Sequence, residues 1–195
     1  MSLPVDTDVR RLLEETGALL SGHFRLSSGL HSGNYVQCAL LLEQPRNAKA
    51  IGEALAEKVR ALGPSKIVAP ALGGVIIGYT VAEALNVPFV FTERKEGQMT
   101  LRRGFRLHEG ERVVIVEDVV TTGKSTRETA DVIAQHGGQV TGFASILNRS
   151  GKPSPFDAPY EFLLALDFET FDEAACPACA QGVALDAPGS RFTSR

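Results

Sequence analysis

The sequence is poor in sulfur, in histidine and in long apolar runs. It has three cysteines, four histidines and no tryptophan in 195 residues. So few cysteines, odd in number, argue against a secreted, cross-linked scaffold. No apolar run approaches the ~18 residues of a membrane helix; the longest candidate, Val68 to Leu85, is broken by Pro70, Gly73, Gly74 and Gly78. The first ten residues carry Pro4 and two aspartates, without the apolar stretch of a signal peptide. A soluble, cytoplasmic protein is expected. Charge has no dominant sign either: 20 basic and 23 acidic residues give a net charge of −3. That excludes a global pull toward nucleic acid or anionic lipid, so an anionic ligand must be met by a local cluster. What remains is ordinary globular composition, 44% hydrophobic and 22% charged, at a length that suits one domain with a real core.

The pattern along the chain is mostly βα. Val9, Leu12 and Leu13 place an amphipathic helix before Gly17. Residues 22–38, with alternating apolar positions and Ser/Gly/Asn turns, predict short antiparallel strands. A helix from Pro45 to about Leu62 carries the stripe Ala48, Ile51, Leu55, Val59 and Leu62. Strands are expected at 66–69, 89–92, 112–117, 139–147 and 160–166. Helices are expected at 75–85 and 125–136, the latter with Ser125 and Glu128 at capping-box spacing. Residues 93–111 are dense in charge, lack an apolar period, and predict a long connection of the kind that is usually functional or disordered. The tail after Asp167 reads as irregular and superficial. Strands alternating with helices predict an α/β fold, a parallel twisted sheet flanked by helices.

The densest chemistry is the run from Val113 to Thr126. A buried strand ends in Glu117 and Asp118, followed by Val119, Val120, Thr121, Thr122, Gly123, Lys124 and Ser125 and then a helix. Ligands of open α/β sheets bind at strand carboxyl ends, and a helix N-terminus after a glycine-bearing loop is a phosphate site. It is not a Walker A loop, because Asp118 stands where the first glycine would be, and Gly73-Gly74-Val75-Ile76-Ile77-Gly78 is not GxGxxG. Carboxylates repel phosphate, but suit hydroxyls, a developing cation or a magnesium ion. A ligand with a phosphate at one end and sugar hydroxyls at the other satisfies both halves.

This string resembles the phosphoribosyl-diphosphate (PRPP) signature of type I phosphoribosyltransferases. The segments 22–32, 92–105 and Asn148-Arg149-Ser150-Gly151 resemble those of the orotate-specific family. The resemblance covers nearly the whole chain. It implies a single domain over 1–195, with a core of about 41–166 and a hood built from about 1–40 plus part of 167–195. It implies that Glu117 and Asp118 hold the ribose hydroxyls and that Val119 to Ser125 hold the 5-phosphate. Ala71, Leu72 and Gly73 would present backbone N–H groups to pyrophosphate. Thr121, Arg149 and Tyr35 would contact orotate, with Arg149 gripping its carboxylate. The implied cofactor is Mg2+, held mainly by PRPP, with Asp118 acting through water and no direct protein ligand.

Between Arg94 and Arg106 there are five basic residues and one acid. The resemblance makes this segment a mobile cationic lid over the pyrophosphate, with Arg94, Lys95, Arg102 and Arg103 as catalytic candidates. It would complete the neighbouring site of a homodimer. Gln98 stands where relatives often carry a lysine, so Lys95, Arg102 or Arg103 are the candidates to substitute. Ser27 and Gly73 likewise stand where some relatives have lysines. The alternatives are transfer to another base, or a non-catalytic PRPP-sensing regulator binding nucleic acid. The regulator is disfavoured because Arg10 and Arg11 lie beside Glu14 and Glu15. Cys176-Pro177-Ala178-Cys179 has no second CxxC to complete a zinc site, and reads as structural or incidental thiols. An oxidised pair or a zinc shared across a dimer are the other readings.

Overall fold

The computed structural model describes residues 5–26 and 28–188, with side chains from residue 9 onward. Ser27 and the ends of the proposed hood, residues 1–4 and 189–195, lie outside the described residues. The elements are α1 (Val5–Glu15), β1 (Leu19–Arg25), β2 (His31–Val36), α2 (Cys38–Leu42), α3 (Pro45–Val59), β3 (Lys66–Pro70), α4 (Gly73–Leu85), β4 (Phe89–Lys95) and β5 (Gln98–Leu101). They continue with β6 (Arg112–Val120), α5 (Lys124–Gln135), β7 (Gln139–Asn148), β8 (Tyr160–Ala165), β9 (Thr170–Phe171) and α6 (Pro177–Ala180).

A six-stranded sheet runs β5-β4-β3-β6-β7-β8, parallel except for the edge strand β5. A separate three-stranded antiparallel sheet, β1-β2-β9, is built from both ends of the chain. The main sheet follows from its sequence. Parallel strands covered on both faces read as continuous apolar runs, and β3 and most of β6 are fully buried. Alternate residues point to opposite faces. Ile67, Val114 and Val116 enter one core with α1, α3 and α4, whereas Val68, Val113 and Ile115 enter a second core. From β3 the chain winds through α4 to β4, and from β6 it winds the other way through α5 to β7. The winding therefore reverses between β3 and β6. The crevice at such a reversal, outside the strand carboxyl ends, is where open α/β sheets bind ligands.

Residues 93–111 differ from the expected open connection. β4 runs on to Lys95, and a two-residue turn leads into β5, with Glu96 and Gly97 both at positive φ (51° and 83°). That conformation is what a twisted hairpin requires. Beyond it, Leu101, Phe105 and Leu107 pack against the second core, with the Phe91 and Phe105 rings 5.3 Å apart. Three apolar anchors spaced among charges show no regular period, which is why the sequence reads as loop.

Two further expectations are corrected. Ser125 and Glu128 form no capping box: Gly123, at φ 69°, is the N-cap of α5 and no side chain caps it. Ser125 lies inside the helix and its hydroxyl turns instead to Glu117. The tail is not irregular throughout, because β9 pairs with β2, residue 186 bridges Phe24, and Cys176 is buried.

Candidate active site

At the carboxyl end of β6, Glu117 is buried and Asp118 partly so. The Ser125 hydroxyl donates to Glu117 Oε2 at 3.0 Å, and the Val119 N–H donates to Asp118 Oδ1 at 2.8 Å. Burial, with the charge of Asp118 beside it, pushes the Glu117 carboxyl well above the usual carboxylate range. Burial also pushes Asp118 up, while its hydrogen bonds with Glu117 and the Val119 N–H hold it back. Two carboxylates are thus kept dry side by side, a costly arrangement unless something cationic or rich in hydroxyls meets them.

Next to them is bare backbone. A Cβ on Gly73, at the start of α4, would lie 2.7 Å from both Asp118 carboxylate oxygens, and one on Gly74 would lie 2.8 Å from the Val116 carbonyl. The loop before them, Ala71-Leu72, has a cis peptide and leaves Leu72 exposed. Gly73→Ala is therefore expected to displace Asp118. Turnover should fall about 10²-fold, as catalytic groups shifted by an ångström do, while Tm barely moves. Initial rates and a thermal scan on the same sample check this.

Thr121 and Thr122 are exposed over the α5 N-terminus, where the N-cap Gly123 offers no side chain and the Thr122 hydroxyl accepts from the Lys124 N–H at 3.3 Å. Arg127 braces the loop from behind, donating to the Thr122 and Pro155 carbonyls. The buried Thr126 hydroxyl has no partner among the described residues.

Arg149 follows β7. Its N–H donates to the Val120 carbonyl at 2.8 Å, and its guanidinium carbon lies 4.4 Å from the Phe168 ring centroid. Its Nε is buried without a hydrogen-bond partner. Buried Asn148 shapes this turn, bonding Ser150 and the Lys152 carbonyl. Burial draws the Arg149 guanidinium down, and Tyr35, Cys38 and Asp167 push it back up. Burial pushes the Tyr35 phenol up, Asp118 adds to that, and Arg149 opposes it. Tyr35 of the small sheet, Asp118 of β6 and Arg149 after β7 therefore share one electrostatic neighbourhood. Sequence reasoning missed two members of it. Cys38 is a fully buried thiol that burial and the two acids push well up, which makes it inert. Phe168 is the platform beneath Arg149. Neither carries a local motif.

The cationic segment sits beside this crevice with three of its five cationic side chains engaged. Arg94 pairs with Glu128 of α5 and donates to the Gly97 carbonyl, while Arg102 and Arg103 both reach Glu93. Arg103 also lies over the Phe91 ring at 5.5 Å. Lys95 and Gln98 are exposed cross-strand partners on the hairpin. The net positive count of the segment is thus offset locally by Glu93 and Glu128, which lie outside it in sequence.

A family profile described as phosphoribosyl transferase domain matches residues 39–180. Fold, site and profile define the class: a phosphoribosyl transferase domain. Orotate phosphoribosyltransferase of Carboxydothermus hydrogenoformans is 48% identical, covering 94% of this chain and 97% of its own. That of Thermotoga maritima is 46% identical, covering 94% and 98%. The chain belongs to the orotate phosphoribosyltransferase family. A solved Mycobacterium tuberculosis orotate phosphoribosyltransferase, in complex with inorganic phosphate, shares the fold at TM-score 0.69 and 23% identity, covering 84% of this chain and 97% of that one. So does Leishmania donovani UMP synthase, at TM-score 0.71 and 21% identity, covering 82% and 36%. No helix among the described residues is long and apolar enough to cross a membrane.

Proposed function

We propose that this crevice binds PRPP and transfers its phosphoribosyl group to orotate, giving orotidine 5-phosphate and pyrophosphate, a step of pyrimidine synthesis. The observation that carries the reading is the pairing of a buried carboxyl couple with a partly desolvated guanidinium, its Nε without a hydrogen-bond partner among the described residues, on adjacent strand ends. One end suits ribose hydroxyls and a positive ring, and the other suits a carboxylate on a base. Glu117 and Asp118 accept hydrogen bonds from the ribose 2- and 3-hydroxyls. Thr121, Thr122 and the α5 N–H groups, with Ser125 behind them, hold the 5-phosphate. Ala71 to Gly73 offer backbone donors to the pyrophosphate. Arg149, with Thr121 and Tyr35, orients orotate.

As the anomeric carbon–oxygen bond breaks, its electron pair leaves with pyrophosphate and the ring becomes cationic. The carboxyl pair faces that charge, and the orotate ring nitrogen completes the new bond as its proton passes to the departing pyrophosphate. No covalent enzyme intermediate is needed, because positioning and electrostatics supply the acceleration. The donors at this site are hard oxygens. With Asp118 against the open Gly73 backbone, they fit Mg2+ held mainly by PRPP oxygens and reached by Asp118 through water. Bound there, the ion would neutralise charge on the leaving group.

The lid role of Arg94, Lys95, Arg102 and Arg103 requires the ion pairs to Glu93 and Glu128 to open, so that the hairpin closes over the pyrophosphate of a partner subunit. The reading is of a cytoplasmic homodimer, and an exposed apolar face supports the dimer: Leu72, Ile76 and Tyr79, at i, i+4 and i+7, are all exposed. Light scattering is expected to give twice the chain mass. Asp118→Asn and Lys95→Ala proteins, each weakly active, are expected to regain activity on subunit exchange, since one site of each hybrid is intact; no gain would place the lid in its own subunit's site.

The test of the base is a panel. With PRPP and Mg2+, orotate is expected to release pyrophosphate, whereas uracil, adenine and hypoxanthine are not. Release with a different base only would reassign the substrate, and tight PRPP binding without turnover would favour the regulator.

A further inference from the structure

The CxxC pair is not alone in space. His23 on β1 and His31 on β2 face Cys176 and Cys179, and one ligating atom from each of the four lies within 4.8 Å of all the others. His23 Nε2 is 3.0 Å from His31 Nδ1, 3.5 Å from Cys176 Sγ and 3.6 Å from Cys179 Sγ; Cys179 Sγ is 3.3 Å from His31 Nδ1. Bonds of ~2.3 Å to sulfur and ~2.0 Å to nitrogen in a tetrahedron place its corners about 3.3–3.8 Å apart. These four separations fall within or just below that range, and the remaining pairs lie within 4.8 Å, so binding would need only a small adjustment of the side chains.

We propose that His23, His31, Cys176 and Cys179 form a closed structural zinc site that fastens the C-terminal segment to the small sheet.

Three further observations support it. His23 Nδ1 is 2.9 Å from the Val183 carbonyl. Donating there, Nδ1 keeps the proton and leaves the Nε2 lone pair aimed at the centre, the usual outer arrangement of a metal-ligating imidazole. His23, His31 and Cys176 are each at most 4% exposed, and no disulfide joins the thiols. One end of the small sheet joins the main core through Leu19 and Val36, and the other end has less to hold it. Phe24 and Cys176 are buried but belong to neither hydrophobic core, and β9 is only two residues long. A small sub-structure lacking its own core is what a structural metal stabilises. Two thiolates and two imidazoles in a four-coordinate set select zinc over the magnesium suited to the oxygen-lined crevice. The site leaves no position open for substrate, so its role is structural. β2 also carries Tyr35, so the fastening bears on the base end of the crevice.

The test is metal content. Full-length protein, produced without an affinity metal or chelator, is expected to retain one zinc per chain through gel filtration by plasma mass spectrometry. The cobalt-substituted protein is expected to show the intense visible bands and thiolate charge-transfer absorption of a tetrahedral two-sulfur, two-nitrogen site. Cys176→Ser/Cys179→Ser is expected to lose the zinc, and Cys38→Ala to keep it. Both measurements on the unaltered chain stand even if the double variant fails to fold. A zinc-supplemented protein that holds none, an octahedral cobalt spectrum, a double variant that keeps its zinc, or a Cys176–Cys179 disulfide in anaerobically purified protein would each overturn the proposal.

Discussion

Glu117→Gln should give a protein that is more stable at neutral pH and nearly inactive. The folded state raises the Glu117 carboxyl, by burial first and by the Asp118 charge second. The unfolded chain releases this proton from about pH 4 upward, whereas the folded one holds it to higher pH. The native state therefore binds more protons over that window, and stability falls as pH rises through it. Glutamine removes Glu117's share of that slope, keeps an acceptor for the Ser125 hydroxyl and relieves the repulsion. Tm against pH should be flatter and higher than in the unaltered protein. Turnover should drop about 10²–10³-fold, the scale of losing one preorganised group facing transition-state charge. Asp118→Asn should behave alike in rate, since Asn Oδ1 still accepts from the Val119 N–H, so its folding loss should be small. If either variant loses stability in proportion to activity, the pair is a strand cap and not a ligand site.

Arg149→Met should raise the orotate KM about 10²–10³-fold and leave the PRPP KM within a few-fold. The side chain already carries the desolvation of a partly buried guanidinium, and its Nε has no partner among the described residues. A carboxylate placed against it would complete a charged hydrogen-bonded pair, and truncating one partner of such a pair costs about 2–5 kcal/mol. Methionine still packs on Phe168, so the fold should not suffer. Arg149→Lys should rescue little, because a point charge cannot reproduce the fork or the stacking over the ring. Initial rates with each substrate varied in turn separate the two constants. Equal losses in both would mean that Arg149 shapes the whole crevice and does not read the base.

The core and the strand end that carries the two acids were legible in the sequence because both are local. β6 is one uninterrupted apolar run, and its acids, threonines and glycine follow within a few residues. What was illegible is long-range pairing. A charge count over 94–106 begins one residue after Glu93 and cannot see Glu128 across the fold, so the segment reads as more cationic than it is. Ser125 and Glu128 have capping-box spacing, but the left-handed Gly123 takes the cap and Glu117 takes the serine. Cys176 lies 153 residues from His23. The histidines flank a turn in one terminal segment and the cysteines sit in the other. Four ligands split this way give no spacing motif, and what unites them is the docking of the C-terminal segment on the small sheet, through β9 and the Phe24–Asp186 bridge.

The central claim, that this crevice joins orotate to a phosphoribosyl group, is tested most directly by the ultraviolet absorbance of orotate itself. With purified protein, PRPP and Mg2+, orotate absorbance is expected to fall at a rate proportional to enzyme, with one pyrophosphate released per orotate lost and orotidine 5-phosphate as the product by mass. Unchanged orotate absorbance with folded protein that still binds PRPP would contradict it.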